Sequence, residues 1–307
     1  MTKYKCYNKS IKQRFLDNIE VEKYPPGWWE RIFDKSYVFE ELYKRDLYDF
    51  STSNIIDFFK YLDLANINNL IVYRINLSKY AEWAVSENLV ADNQIHFNEL
   101  TVEILNTCIS KARIGNAIVS YEKLKSISFV NKQDAFVFWS IFEGIKGKDY
   151  EEIINIKIED IDKSAQTVSL CTGRTINVSS EFINAAQGAW NETEYITLKD
   201  ADIVLPLFGD YVFKEKRMSR GIDKPRTVYN TIIRNINYFP ELSGDVTARS
   251  IRDSGLIHYL NNRADDCGVS VAELLYDLPN CKDIVDKYGF NILTRKKWLI
   301  MYEEYLH

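Results

Sequence analysis

Glycine, proline and histidine are scarce in this 307-residue chain, and each shortage excludes a class of protein. Only 12 glycines and 6 prolines occur, while hydrophobic residues make up 46% of the sequence. Collagen-like and disordered chains are therefore excluded, and helices are favoured. The three histidines and five cysteines are scattered without a Cys-x-x-Cys pair. We expect no zinc site, no disulfide framework and no cofactor.

Long apolar runs are missing as well. The most apolar stretch, Ala135 to Phe142, is far shorter than the roughly 20 residues that cross a bilayer, and no apolar segment follows the charged residues at the N-terminus. We therefore expect no membrane contact, reduced cysteines and a cytoplasmic protein. The net charge of −5 argues against a surface that is basic throughout. A charge sum does not say where the charges lie.

Aromatic residues are abundant, with 20 tyrosines, 16 phenylalanines and 6 tryptophans, and apolar spacing in the first third of the chain is helical. Residues 1–30 are predicted to be irregular and include a basic arm from Lys3 to Arg14. From Tyr37 to Cys108 the apolar residues recur at intervals of three and four, and Ser51 is placed to cap a helix. This pattern predicts a bundle of four or five helices without strands.

The remainder of the chain adds one strand signal to further helices. The β-rich runs Thr167–Leu170 and Thr175–Val178 flank a Thr-Gly-Arg turn and predict a hairpin. Helices are predicted before it, over Asn131–Phe142, and after it. We place the domain boundary at about residue 112, so that a helical domain 1–112 precedes a domain 113–307 that is mainly α with a small β-sheet.

The residues from Lys214 to Arg234 carry a strong local positive charge. Seven cations stand against Glu215 and Asp223, a net charge of +5 within a chain of net charge −5. Cations beside neutral hydroxyl and amide donors suit contact with DNA phosphates. A solvated helix face is the alternative explanation. The cations predicted to contact DNA in this segment are Lys214, Lys216, Arg217, Arg220, Lys224 and Arg226.

Three other segments follow one another in an informative order. Residues 152–162 precede the hairpin, residues 247–255 open a helix, and Tyr288 lies 36 positions after Arg252. In this order they resemble the motifs of the tyrosine recombinases, the phage integrase family. The N-terminal helices resemble the SAM-like core-binding domain of that family, especially at 46–51 and at 80–83. The resemblance implies a core-binding domain followed by a catalytic-like domain.

The resemblance also implies where strand-cleavage chemistry would lie. A tyrosine attacks the DNA phosphodiester while two arginines hold the phosphate and a lysine donates a proton. Arg252 matches the second arginine, and Tyr288 falls near the place of the nucleophile. The first arginine falls on Lys146 or on Asp149, according to the segment from which it is counted. Arg174 takes the place of the hairpin lysine, and an arginine is a poor proton donor because its guanidinium stays protonated.

The histidine positions of the family pattern hold other residues. Arg249 and Asp253 stand where two histidines belong, and a third position falls on Pro279. Losing several members of a group that acts as a unit nearly abolishes turnover. The basic residues Lys146, Arg174, Arg249 and Arg252 can still hold DNA without cleaving it. Tyr288, like Arg252, is then a vestige of the catalytic site, or simply a packing residue.

We therefore predict a sequence-specific regulator that binds double-stranded DNA and is not an enzyme. Similarity to the integrase-like repressors of SPbeta-group Bacillus prophages favours a phage lysogeny repressor that acts on DNA in the cytoplasm of its bacterial host. The alternatives are an active site-specific tyrosine recombinase for DNA integration or excision, and an accessory protein that never contacts DNA. An amphipathic helix is predicted over 294–306. It packs either on a second copy, which would make a homo-oligomer, or on its own domain.

Overall fold

The computed structural model describes residues 5–18, 26–92, 95–199, 203–216, 223–242 and 244–307. Within them the chain is mainly helical with two small antiparallel sheets, which confirms the predicted fold class. The chain divides into two compact units, unit 1 with residues 1–113 and unit 2 with residues 114–307.

Unit 1 is built from helices alone within its described residues. They are α1 (Lys9–Asn18), α2 (Pro26–Tyr43), α3 (Thr52–Tyr61), α4 (Ile67–Ser86), α5 (Val102–Thr107) and α6 (Lys111–Ala117), whose second half belongs to unit 2. Ser51 caps α3 as predicted, since its hydroxyl accepts the N–H of Asn54. The prediction that residues 1–30 are irregular is wrong for α1 and for the start of α2.

The first helix forms because it contributes to an aromatic core. The Phe15 ring lies 4.7 Å from that of Trp29 and 4.6 Å from that of Tyr80, centroid to centroid. Lys12 is fully buried beside it, bonded to Glu40 and with its ammonium 3.7 Å from Asp46. This cation of the predicted basic arm therefore faces inward, while Lys3 lies outside the described residues.

Unit 2 surrounds its core with helices and two sheets. The helices are α7 (Tyr121–Ser126), α8 (Lys132–Phe142), α9 (Glu151–Ile154), α10 (Ser180–Asn191), α11 (Lys224–Tyr238), α12 (Ala248–Cys267), α13 (Val271–Tyr276), α14 (Leu278–Tyr288) and α15 (Arg295–Tyr302). The strands are β1 (Ile161–Asp162), β2 (Thr167–Ser169), β3 (Thr175–Asn177), β4 (Glu194–Ile196) and β5 (Val204–Pro206). The sheets are β1-β2-β3 and β4-β5, all antiparallel.

The predicted hairpin is confirmed as β2 and β3, where Val168 pairs with Ile176 and both side chains are buried. The segment 152–162 before this hairpin comprises most of α9, which is a single helical turn, then a 3-10 turn and β1. The pair β4 and β5 was not predicted. Its strands are three residues long, and because the exposed residues Ile196 and Val204 are apolar, the sequence lacks the alternation of apolar and polar residues that marks a strand.

Two helices cross closely at the centre of unit 2. Helix α8 is buried along nearly its whole length, and α12 begins at the cap Thr247, whose hydroxyl accepts the N–H of Ser250. At Gly255 the backbone of α12 passes so near α8 that a Cβ there would lie 1.7 Å from the carbonyl oxygen of Phe142. Glycine is therefore required at this crossing. The crossing also sets the position of a pocket between α12 and the loop after α8.

Candidate functional site

The structure brings four of the predicted site residues to one pocket of unit 2. Its volume is about 410 Å³, and it lies between the loop after α8, the β2–β3 turn, α12 and the end of α14. The residues that line it are Gly144, Lys146, Gly147, Glu152, Arg174, Arg252, Val285, Asp286, Tyr288 and Gly289. The order of motifs along the sequence therefore corresponds to a real cluster in space.

Tyr288 closes the inner side of this pocket with its hydroxyl turned away from solvent. The side chain is 4% exposed, and its hydroxyl donates a 3.0 Å hydrogen bond to the carbonyl oxygen of Gly255. Burial, reinforced by the nearby charge of Glu143, raises the pKa of the phenol well above its usual range. The group is thus protonated and engaged with the backbone of α12.

Arg174 uses every N–H of its guanidinium inside the domain. Nε and one Nη2 hydrogen donate to the two carboxylate oxygens of Glu152, each at 2.6 Å. Nη1 donates to the carbonyl oxygens of Asp286 and Lys287, at 2.7 and 2.8 Å, and Nη2 also donates to that of Gly144 at 3.0 Å. Five donors meet five acceptors. The side chain joins the β2–β3 turn to the end of α14, and no N–H remains for a phosphate.

Glu152 is the acceptor that makes this arrangement possible. It is 2% exposed and also accepts the hydroxyl of Thr172 and the backbone N–H of Lys146. Burial alone would raise the pKa of this carboxyl, but the hydrogen bonds from Arg174 and Thr172 outweigh burial and lower it. Glu152 is therefore an anion, and it neutralises the arginine at the place where a cleaving enzyme needs a proton donor.

Neither position counted for the first arginine supplies a phosphate clamp. Lys146 is half-buried, and its ammonium lies 5.4 Å from the ring centroid of Tyr150. Asp149 is exposed and adopts a left-handed backbone, with φ of 51°. A lysine provides a single point of charge and lacks the planar pair of donors that holds two phosphate oxygens. Lys146 can contact a phosphate but cannot clamp it.

Arg252 reaches the pocket but shares its charge with a neighbouring carboxylate. Its Nη2 lies 3.1 Å from Oδ1 of Asp253, and its Nε is buried without a hydrogen-bond partner. Asp253 is itself 2% exposed and accepts the hydroxyl of Tyr302 at 3.0 Å. Exposed Arg249 lies 3.7 Å from the same carboxylate. A carboxylate thus stands where the family pattern has a histidine, and repels the phosphate that a histidine would assist.

The C-terminal helix packs on unit 2 of its own chain. Trp298, Met301 and Tyr302 are buried, and beyond α15 the carbonyl of Tyr305 accepts the side-chain N–H of Asn261 at 2.8 Å. The two alternatives for residues 294–306 were packing on a second copy and packing on their own domain, and these contacts lie within their own domain. Assembly into a homo-oligomer stays a prediction.

The basic segment divides into side chains that face inward and side chains that face outward. The ammonium of buried Lys214 donates to the carbonyl oxygens of Trp190 and Glu192 at the end of α10. Lys216 lies with its ammonium 3.2 Å from the ring centroid of Tyr195, and burial together with the charge of Arg234 lowers its pKa to about 7. The positions of both lysines indicate roles in folding.

The outward part of the segment is the start of α11. Lys224 pairs with Glu215 at 3.0 Å, whereas Arg226 is exposed. The two other cations predicted here, Arg217 and Arg220, lie outside the described residues. Contact of these four with DNA stays a prediction.

Helix α11 presents a face that charge counting alone does not identify. Asp223 caps it, and the fifteen residues that follow contain no acid. Arg226, Asn230 and Asn237 are exposed on it, as are Tyr229 and Ile233, at 52% and 39%. Positions 226, 230, 233 and 237 lie three or four apart, on one face of the helix. The helical period, started at the Asp223 cap, is the sequence signal that would have found Ile233 and Asn237.

The described residues contain neither a candidate metal site nor a candidate membrane span. Within the part of the chain that the structure describes, no group of three or more His, Cys, Asp and Glu side chains could hold a metal ion. No helix in that part is long and apolar enough to cross a bilayer.

Family models match both units. The model described as MrpR, N-terminal core-binding domain, matches residues 6–86, and the model described as MrpR, C-terminal catalytic domain, matches residues 118–306. The SPbeta prophage-derived uncharacterized protein YopR of Bacillus subtilis (strain 168) is 25% identical over 321 residues, covering 98% of this chain and 94% of that protein. The crystal structure of XerA recombinase matches 96% of this chain and 97% of its own, with a TM-score of 0.38 and 12% identity.

Proposed function

Because this chain belongs to the MrpR family and has its recombinase-like two-domain architecture, we propose that it is a sequence-specific DNA-binding regulator that does not cleave DNA. Its proposed target is an operator in double-stranded DNA. Its relative is a prophage protein, so the proposed setting is a bacteriophage whose lysogeny this protein maintains by repressing transcription in the cytoplasm of the bacterial host.

The hydrogen bond from Tyr288 to Gly255 carries the proposal against cleavage. A nucleophilic hydroxyl must meet the phosphorus atom and lose its proton as it attacks. The Tyr288 hydroxyl is instead buried and donates to a backbone carbonyl, and its surroundings raise its pKa. Arg174 is saturated by internal acceptors, and Asp253 brings a negative charge towards the place of the phosphate.

The exposed face of α11 supports the proposal of DNA binding. Arginine and asparagine are the side chains that pair with guanine and adenine edges in the major groove, and an apolar side chain can contact a thymine methyl. Arg226, Asn230, Asn237 and Ile233 provide that combination on a helix without acids. Outside α11, exposed Arg249 offers a phosphate contact. A net charge of −5 weakens non-specific binding and so favours selectivity.

Selection from a random double-stranded DNA library, followed by gel-shift titration in rising salt, tests DNA binding. We expect one recovered sequence motif, and an affinity for it that falls at least about tenfold between 50 and 200 mM salt. Failure to recover a motif, or binding that does not depend on salt, would remove the proposal.

A nicked suicide substrate that contains the selected motif tests the absence of cleavage. We expect no covalent protein–DNA adduct from the wild-type chain and equal DNA affinity for Tyr288→Phe, which loses only a buried hydrogen bond worth about 1 kcal/mol of folding free energy. An adduct that forms with the wild type and disappears in Tyr288→Phe would establish the alternative, an active site-specific recombinase.

A further inference from the structure

Two adjacent tryptophans at the start of α2 face different surroundings. Trp29 is 1% exposed and belongs to the aromatic core of unit 1. Trp28 is half-buried and stands beside Tyr73 of α4, with their ring centroids 5.5 Å apart. Trp28 and Tyr73 line a groove of about 340 Å³ between α2 and the α3–α4 region. The residues around it are Trp28, Arg31, Lys35, Leu64, Asn69, Val72 and Tyr73.

The groove combines an apolar floor with two cations. Arg31 and Lys35 are both exposed on α2, one turn apart, and Nε of Arg31 donates to the carbonyl of Gly27 at 3.1 Å. None of the described residues that line the groove is acidic. Its charge is therefore positive, although the chain as a whole is negative.

The apolar surface continues along α2 beyond the groove. Val38 is 53% exposed and Leu42 is 70% exposed. Together with Arg31 and Lys35 they fall at spacings of four, three and four, which places all four side chains on one face of the helix. Tyr61 of α3 is 52% exposed and contacts Phe39, the residue after Val38, with ring centroids 5.2 Å apart. The eleven helical steps from Arg31 to Leu42 span roughly 16 Å, which matches about three turns of a second helix.

We propose that this surface of unit 1 binds an acidic amphipathic helix of a partner protein. The apolar side of such a helix would cover Val38, Leu42 and the Trp28–Tyr73 pair, and its carboxylates would meet Arg31 and Lys35. Helices dock in grooves by apolar anchors three or four residues apart, and complementary charge selects the partner. DNA is disfavoured here, because a phosphate backbone would lie on exposed valine and leucine side chains, and the described residues that line the groove offer it two cations.

Display of a random library of 16-residue peptides against the full-length protein tests the proposal. The enriched peptides are expected to be acidic and to carry Leu, Phe or Trp at spacings of three and four. Their affinity should fall at least tenfold for the double variant Arg31→Glu with Lys35→Glu. The matched control, Lys199→Glu with Lys282→Glu, makes the same charge change at exposed lysines of unit 2 and should bind the peptides as the wild type does.

Other outcomes would overturn the proposal. These are the absence of enriched peptides, enrichment of peptides without acids, or equal binding by the charge-reversed variant. If Arg31→Glu with Lys35→Glu lowered DNA affinity and left peptide binding unchanged, the groove would be a DNA contact. If the same variant lost self-association in sedimentation, the groove would be an interface between two copies.

The milder pair Val38→Ser with Leu42→Ser, both at exposed positions, repeats the measurement with the cations intact and should also weaken peptide binding.

Discussion

Several cations of this protein reach into its interior, where each meets a specific acceptor. Lys12 is enclosed with Glu40 and Asp46 in unit 1. In unit 2 the ammonium of Lys287, with its side chain 12% exposed, lies 2.7 Å from Glu143. A buried cation without such a partner would be costly, so these pairs fix positions in the fold. The sequence shows that these residues are charged but cannot show which of them face inward.

The enclosed pair of Glu40 and Lys12 makes the stability of unit 1 depend on pH. Burial raises the pKa of Glu40 from 4.5 to about 7, against the opposing charge of Lys12. Below pH 4.5 the carboxyl is protonated in both the folded and the unfolded chain. Between pH 4.5 and 7 the unfolded chain releases the proton first, so the free energy of unfolding falls as pH rises, by on the order of 3 kcal/mol, and stays low above pH 7.

Urea unfolding at pH 5, 6, 7 and 8 measures this dependence in the wild type and in Glu40→Gln, which cannot ionise. The free energy of unfolding of the wild type is expected to fall relative to that of Glu40→Gln as pH rises from 5 to 7. A difference between them that does not change with pH would contradict the assignment.

Among the elements, the end of α14 is held by hydrogen bonds to several other parts of unit 2. Arg174 holds the carbonyls of Asp286 and Lys287, the Lys287 side chain binds Glu143, and the Tyr288 hydroxyl binds α12. Cations near the last carbonyls of a helix also interact favourably with the helix dipole. The segment that carries the tyrosine is therefore joined to the sheet, to the loop after α8 and to α12.

Removal of the Arg174 side chain should release this end of the helix. Arg174→Ala leaves Glu152 buried without a cation, and we expect a loss of about 3–5 kcal/mol in the free energy of unfolding. Arg174→Ala combined with Glu152→Gln should be more stable than Arg174→Ala alone, because no buried charge is left unpaired. Urea unfolding measures the stabilities, and hydrogen exchange of residues 278–289 measures the release. Unchanged exchange in Arg174→Ala would show that other contacts hold α14.

Helix α11 is expected to read DNA bases. Arg226→Ala and Asn230→Ala should each reduce affinity for the selected motif about tenfold, and Asn230→Ala should also relax the preference at one base pair. Gel-shift titration with the motif and its single-base variants measures both effects. Lys282→Ala, an exposed cation on α14, is the control and should change little. Equal losses on all sequences would assign these residues to phosphate contact.

Elements with strong local signals could be predicted from the sequence. The cap Ser51, the start of α12 at residue 247, the apolar helix α8 and the β2–β3 hairpin depend on neighbouring residues and were predicted near their true places. Helix α1 and strands β4 and β5 were missed. The first owes its stability to Phe15 packing on distant rings, and the short strands owe theirs to pairing with each other. The pocket was predicted only from the order of the motifs. The saturation of Arg174 could not be predicted, because its hydrogen-bond acceptors come from three segments distant from it in sequence.

At the scale of the whole molecule, the chain consists of two units that each enclose a core of their own. Unit 1 is filled by aromatic rings, and unit 2 by the aliphatic and aromatic side chains around α8 and α12. The two family models match these parts separately. A substitution in one core is therefore expected to act mainly on its own unit.

Gly255→Ala tests that independence. The added methyl group would collide with the carbonyl of Phe142, and we expect a loss of about 3 kcal/mol in unit 2. Hydrogen exchange under native conditions should show faster opening of α8 and α12 and unchanged protection in α2 and α4. Gly244→Ala, where a Cβ meets no atom within 4 Å, is the matched control. A parallel loss of protection in unit 1 would show that the units unfold together.

The saturated guanidinium of Arg174 also restricts how this sequence can evolve. A change to lysine, the residue that a cleaving enzyme would need, replaces five hydrogen bonds with three at most and leaves acceptors in Glu152 and α14 unmatched. Such a change is harmful until further changes at those acceptors follow. Under the proposed function, a return to strand cleavage would thus have to pass through less stable intermediates.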